Sequence, residues 1–223
     1  MRDYKDYKKL LKNVYFVNGT AYAGKSTLVK KLADKYDMYH CKENYMFDEF
    51  LAKTSKESHP NMQYFKTMSS WEEFVSRSKE DYEKWMDGVS KETTPFELEA
   101  LVDLASKHDK VIVDTNIPPD VLKEVSSYNR VLFMVATTDI SVEYFFHRAD
   151  PEKQFLLGVL NKMDRPLLAK KHFQDILVYL NRKERIDKFL NSDFLCLMRR
   201  KIKENIDEKI ALAERHFGLY EEK

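Results

Sequence analysis

The sequence predicts an α/β fold built on a parallel sheet. Short apolar runs rich in β-branched and aromatic residues alternate with longer segments of helical period, the pattern of strands joined by crossover helices. The chain has 223 residues and 43% hydrophobic content, enough to bury one sizeable core, so a single domain with a helical excursion is expected. Five runs read as strands: VYFVN at 14–18, MYHC at 38–41, VIVD at 111–114, RVLFMVAT at 130–137 and FLCLM at 194–198.

The segment after the first strand carries Leu28, Val29, Leu32, Ala33 and Tyr36, which fall on one helical face and place this helix against the sheet. Residues 42–110 contain no convincing strand but offer two helix starts. Ser70 with Glu73, and Thr94 with Pro95 and Glu97, have the spacing of capping boxes, in which hydroxyl and carboxylate satisfy free N–H groups. Trp71, Phe74, Val75, Ser78, Tyr82, Trp85 and Met86 keep a helical period, and Gly88 is placed to end that helix. KTSKESHPN, at 53–61, is polar enough to be a loop.

Composition narrows the functional classes. The 38 Lys and Arg balance 37 Asp and Glu, so nothing points to bulk attraction for nucleic acid or an anionic membrane. MRDYKDYKKLLKN is charged throughout and lacks a signal-like apolar stretch, and no later run approaches membrane-spanning length. A soluble, cytoplasmic protein is expected. Cys41 and Cys196 sit in apolar runs and read as buried reduced thiols, and the six histidines show no zinc-ligand spacing.

The strongest local signal is GTAYAGKS at 19–26, set between the first strand and the first long helical pattern. It fits G-x-x-x-x-G-K-[ST]. Gly19 and Gly24 permit torsions and close approach that a Cβ would obstruct, so that successive N–H groups can face phosphate oxygens. Lys25 adds positive charge for the β- and γ-phosphates, Ser26 offers a hydroxyl to Mg²⁺, and the helix start contributes its dipole. Gly19, Thr20, Ala21, Tyr22, Ala23, Gly24, Lys25, Ser26 and Thr27 are therefore the candidate nucleotide-binding residues. Asp114 ends VIVD at the edge where such sheets bind ligands, and is a second candidate for Mg²⁺; the turn TNIPPD that follows offers it a purely structural role instead.

With these motifs the chain resembles the small P-loop kinases, the group of adenylate-kinase-like, shikimate-kinase-like and chloramphenicol-phosphotransferase-like enzymes. The resemblance rests on VYFVNGTAYAGKST, on VIVDTNIPP and on the lid-like FFHRADPEKQFL; only the first is specific. It implies a P-loop three-layer sandwich with a five-stranded parallel sheet in the order 2-3-1-4-5. It further implies one domain in which 42–110 is a helical acceptor-binding region and 147–166 a lid-like segment. The implied activity is transfer of the γ-phosphoryl of Mg²⁺-ATP to a small-molecule acceptor. Two features depart from the nucleoside monophosphate kinases: D-G-x-P-R is replaced by DTNIP, and the lid lacks a dense arginine set. A small hydroxyl acceptor is thus expected, with a carboxylate near the end of the second strand to orient or deprotonate it. Glu43 lies nearer that strand, whereas Asp48 sits in the aromatic YMFDEF and is slightly preferred; either could be a solvated helix charge. Arg148 is the lid candidate, with a surface ion pair to Asp150 or Glu152 as the plainer role, and Arg165 is weaker. Arg199 and Arg200 could lie near the adenine edge.

LNKMD at 160–164 offers a competing reading, because it matches the N-K-x-D by which GTPases read guanine and it follows the apolar FLLGVL. A GTP-binding switch is the alternative function. Against it stand the absence of D-x-x-G after Asp114, the long stretch from loop to acidic strand, and the simpler role of Asp164 and Pro166 as a helix start.

Overall fold

The computed structural model describes residues 2–147 and 151–219, so Arg148 and its neighbours Ala149 and Asp150 lie outside the described residues. The five expected strands are all present as β1 (Val14–Gly19), β2 (Tyr39–Cys41), β3 (Val111–Asp114), β4 (Val131–Ala136) and β5 (Leu195–Arg199). They form one sheet in the order β2-β3-β1-β4-β5, and every pair is parallel. This is the order implied by the P-loop kinase resemblance.

Alternation along β1 divides the core. Val14 and Phe16 join one cluster with Leu98, Leu101, Ile117, Leu122 and Val125, contributed by α6 (Lys79–Lys107), α7 (Pro119–Val125) and the turn before α7, with Tyr7 of α1 (Tyr4–Leu10) also packed there. Tyr15 and Val17 join the opposite cluster with Leu28, Val29, Leu32 and Ala33 of α2 (Lys25–Tyr36) and Ala213 and Phe217 of α12 (Ile206–Phe217). The predicted face of α2 is therefore the buried one, with Tyr36 packed at its edge. Both sheet faces are covered, as the near-continuous apolar strands require.

A third cluster comes from helices alone. Phe74 and Val75 of α5 (Trp71–Val75) meet Phe145 of α8 (Thr138–His147), Leu156 and Leu160 of α9 (Pro151–Lys162), and Phe173, Ile176 and Leu180 of α10 (Pro166–Leu180). Residues from the 42–110 and 147–166 stretches thus share one apolar cluster, against which Tyr22 of the glycine loop also packs. The shorter α3 (Phe47–Leu51), α4 (Tyr64–Thr67) and α11 (Lys183–Leu190) complete the helices named here.

Three expectations inside 42–110 are corrected. Ser70 does cap α5, accepting from Glu73 N at 3.1 Å, but that helix stops after Val75. A second cap restarts the chain: Ser78 Oγ accepts from Asp81 N at 3.0 Å and donates to Asp81 Oδ2 at 2.7 Å. Gly88 does not end α6, which runs on to Lys107; a Cβ there would overlap the Asn61 side chain, so the glycine admits a close approach. Thr94, Pro95 and Glu97 are interior to α6 and do not start a helix. Pro95 removes one helix N–H, yet burial of Leu98 and Leu101 holds the helix together, while Thr94 Oγ1 donates back to the Ser90 carbonyl at 2.7 Å.

Candidate active site

The glycine loop joins β1 to α2 at the carboxyl edge of the sheet, where open α/β sheets bind ligands. Both glycines are needed there. Gly19 has φ +133°, and a Cβ on it would collide with the Met134 carbonyl of β4; Gly24 caps α2 at φ +99°. Tyr22 also adopts a positive φ, of 60°, so the loop reverses direction sharply.

Neighbouring strands hold the loop from outside. Thr20 N donates to Met134 O at 3.0 Å, and Thr20 Oγ1 accepts from Ala136 N at 2.7 Å. Asn18 Nδ2 donates to Ile117 O at 2.6 Å, while Asn18 Oδ1 accepts from Gly19 N. The loop carbonyls also find donors: Lys25 Nζ reaches Thr20 O at 3.3 Å, Ser141 Oγ reaches Ala21 O at 3.4 Å, and Arg199 Nη1 reaches Tyr22 O at 2.8 Å. Arg199 also donates to the Tyr144 hydroxyl at 2.9 Å and stands over that ring, which itself stacks on Tyr22. The arginine expected near an adenine edge is thus fastened to the loop. A loop whose carbonyls are engaged by surrounding donors is prepared to turn amides to an anion.

Lys25, Ser26 and Asp114 come together, as their sequence positions suggested. Ser26 Oγ donates to Asp114 Oδ2 at 2.9 Å, and Lys25 Nζ lies 3.7 Å from Asp114 Oδ1. Lys25 is 7% exposed and Asp114 only 1%, an unusual depth for two charges. Burial raises the Asp114 carboxyl above its ordinary value, the nearby Lys25 charge opposes that rise, and Glu43 adds to it. Asp114 Oδ1 is buried without a hydrogen-bond partner. A hydroxyl and a carboxylate with a spare buried oxygen form a hard-oxygen pair that suits Mg²⁺.

Beyond Asp114 the edge is acidic. Asn116 Nδ2 donates to Glu43 Oε1 at 3.1 Å, fixing Glu43 just past β2 beside the end of β3. Glu97, which sequence spacing places in a cap, instead projects from α6 into this corner and is 9% exposed. Burial, then the charges of Asp114 and Glu43, push its carboxyl up to about 7, while a hydrogen bond from Thr115 works in the other direction. One signal in TPFELEAL points to it: Glu97 shares the buried face of Thr94, Leu98 and Leu101, a carboxylate inside an apolar stripe.

The other candidates are scattered. Asp48 is exposed in the first turn of α3, where a carboxylate suits the helix start, and among the described residues no hydrogen bond or ion pair joins it to Asp114. His147 ends α8 with Glu143 beside it at 3.8 Å. Arg165 is exposed at the start of α10, which begins at Pro166 as expected but without a side-chain cap from Asp164. FLLGVL belongs to α9 and the first three residues of LNKMD are the end of that helix, so the motif does not stand at the carboxyl end of a strand. Both cysteines are free, and burial pushes the Cys41 thiol up to about 12 and that of Cys196 to about 11, which suits inert thiols and not nucleophiles. Among the described residues no helix is long and apolar enough to cross a membrane.

No family model and no curated protein matches the chain. Among solved structures it is similar to an uncharacterized protein from Eubacterium ventriosum ATCC 27560, at 12% identity and TM-score 0.41, over 94% of this chain and 99% of that one. It is also similar to dephospho-CoA kinase from Campylobacter jejuni, at 15% identity and TM-score 0.39, over 93% and 98% of the respective chains.

Proposed function

We propose that the protein is a Mg²⁺- and ATP-dependent phosphotransferase that moves the γ-phosphoryl group to a hydroxyl of a small molecule. The observation that carries this reading is the meeting of Lys25, Ser26 and Asp114 beneath a glycine loop at the carboxyl edge of a 2-3-1-4-5 parallel sheet. In this reading the loop from Gly19 to Thr27 cradles the phosphates, and Lys25 turns from Asp114 to the transferring group. Ser26 and Asp114 hold Mg²⁺, which when bound neutralises phosphate oxygens. Glu43, fixed by Asn116, orients the acceptor hydroxyl or takes its proton. Residues 42–110 form the acceptor side and 147–166, with Arg148, a lid within the same domain, so that closure excludes water from the γ-phosphate.

Catalysis on this plan is positioning plus electrostatics, since phosphoryl transfer asks little covalent chemistry of the protein. The test is a thermal-shift series of nucleotides with Mg²⁺ on the wild type and on Lys25→Ala and Asp114→Asn. ATP should stabilise the wild type, the Lys25 variant should lose that gain, and the Asp114 variant should lose its dependence on Mg²⁺. A nucleotide response unchanged in both variants would refute the assignment. GTP selectivity abolished by Asp164→Ala would support the switch reading in its place.

A further inference from the structure

The amino edge of the sheet, at the far end of β1 and β4 from the glycine loop, carries a feature that phosphoryl transfer does not use. The chain enters β1 from the end of α1, and enters β4 from the end of α7 through a short 3₁₀ turn at Tyr128–Arg130. Leu11, Leu122 and Val125 belong to one apolar cluster, so the two helix ends are packed together. Beside them lies a cavity of about 110 Å³, lined, with Leu11, by Lys8, Lys12, Ser126, Ser127, Asn129 and Arg130. One water needs about 10–15 Å³, so there is room for a compact polyatomic group.

The polar groups around this cavity are arranged as donors. Lys8, Lys12 and Arg130 bring three positive charges, no carboxylate lines the cavity, and among the described residues none of the three makes an ion pair. Arg130 is held in place without a counter-charge: Nε donates to Lys12 O at 3.0 Å, Nη1 donates to Phe217 O at 3.0 Å and to Asn129 O at 3.3 Å, and the guanidinium stands 4.4 Å from the centre of the Tyr15 ring. Asn129 Oδ1 accepts from Ser127 Oγ at 2.9 Å, which leaves the Asn129 amide nitrogen to donate elsewhere.

Ser126 supplies an independent sign. It is 5% exposed, and its Oγ is buried with no hydrogen-bond partner. Buried hydroxyls in native proteins ordinarily have one. With nothing on the protein to hold it, this hydroxyl is free to turn about χ1 toward the cavity that its own residue lines.

Structural roles cover only part of this arrangement. Lys8 lies in the last turn of α1, where a cation complements the carbonyl ends of the helix, and Arg130 satisfies carbonyls beyond α1 and at the end of α12. Neither role calls for three cations without a carboxylate around one cavity, nor for an orphaned hydroxyl in its wall.

We infer that this cavity binds a phosphate group, either inorganic phosphate or the phosphate of a small phosphomonoester, at a site distinct from the nucleotide loop at the other end of the same strands. Lys8, Lys12 and Arg130 neutralise the dianion, while Ser126 and Asn129 donate to its oxygens. A carboxylate, with one charge and two oxygens, would leave part of this donor set unused.

Inorganic phosphate titrated into ¹⁵N-labelled protein, with backbone amide shifts read residue by residue, tests this on the wild type and on Lys25→Ala, whose glycine loop has lost its cation. The amides of Lys12 and of residues 126–130 should move saturably in both proteins, and sodium chloride at equal ionic strength should not reproduce the change. A response of residues 19–27 that is lost in Lys25→Ala reports on the glycine loop separately. Lys8→Gln combined with Lys12→Gln should weaken phosphate at the amino edge by at least about 10-fold. Both lysines are exposed, so this variant keeps the fold. Ser126→Ala should weaken it by about 3-fold with the thermal melt unchanged or raised, because the hydroxyl has no partner to lose in the empty protein; a serine kept for structure alone would lower the melt and leave phosphate binding as it was. Glycerol 3-phosphate is titrated in parallel: binding of either compound at residues 126–130 upholds the site, and the tighter of the two identifies the source of the phosphate. Shifts confined to residues 19–27, a response reproduced by chloride, or a phosphate affinity unchanged in either variant would each overturn the inference.

Discussion

Glu97→Gln should remove a pH dependence from the stability of the protein. Glu97 is 9% exposed, and burial together with Asp114 and Glu43 lifts its carboxyl from 4.5 to about 7. An acid raised in this way keeps its proton in the native state over a range where the unfolded chain has already lost it. The native state then binds more protons than the unfolded state, so the free energy of unfolding falls as pH rises. The favourable contribution is complete below pH 4.5 and is lost as pH passes through about 7. Its full size is about 3 kcal/mol, since each tenfold change in proton affinity is worth about 1.4 kcal/mol. Glutamine keeps the size of the side chain and has no proton to lose. The gain of Glu97→Gln over wild type should therefore grow between about pH 5 and pH 8, approaching about 3 kcal/mol at the upper end. Urea unfolding of both proteins at matched pH, with equal denaturant slopes, measures it. Parallel pH curves would show that Glu97 is solvated in the native protein, and would refute the description of this corner as buried and acidic.

Gly19→Ala should destabilise by about 3 kcal/mol or more, because its Cβ meets the Met134 carbonyl at a φ of +133°, and a thermal melt should fall by roughly 6 °C or more. Ser78→Ala should cost about 1 kcal/mol through loss of the cap that restarts the chain at α6, read by urea unfolding; no change would show that the break after α5 is set by packing alone. Lys25→Ala should lower phosphoryl transfer by about 10²-fold or more, measured as ADP released with an accepted substrate, and near-normal turnover would remove the loop from catalysis. Of the two acceptor-side carboxylates, Glu43→Gln should lower transfer strongly and Asp48→Asn weakly, since only Glu43 is joined to the β3 edge through Asn116; the reverse order would return the role to α3.

How much of this is legible in the sequence follows from the range of the interactions involved. Three of the strands are readable because their burial is continuous: Val14 to Val17, Val111 to Val113 and Val131 to Ala136 are buried at every position, which leaves an unbroken apolar run in each. The glycine loop is readable because its demands are backbone demands made within eight residues, and Gly19 and Gly24 meet them with positive φ. The region between β2 and β3 misleads where a local signal serves a distant partner. Gly88 has the composition of a helix end but answers to Asn61, and Thr94, Pro95 and Glu97 have the spacing of a helix start but lie within α6. In each case a contact many residues away, invisible to spacing, outweighs the local preference.

Glu97 shows what such a misreading hides. As a cap its carboxylate would lie in solvent, hydrogen-bonded to a free N–H, and its charge would stabilise the helix start by a fraction of a kcal/mol. Inside α6 the same carboxylate has no free N–H to accept from, and it is carried down to the ends of β2 and β3 by the packing of Leu98 and Leu101. Its burial beside Asp114 and Glu43 then opposes folding above neutral pH. A core position that costs stability with a charge could be filled by an apolar residue of similar size, as the positions of Leu98 and Leu101 on the same face are. Retaining a carboxylate there calls for a gain outside folding, and a Glu97→Gln variant more stable than wild type above neutral pH would separate a residue kept for the site from one kept for structure.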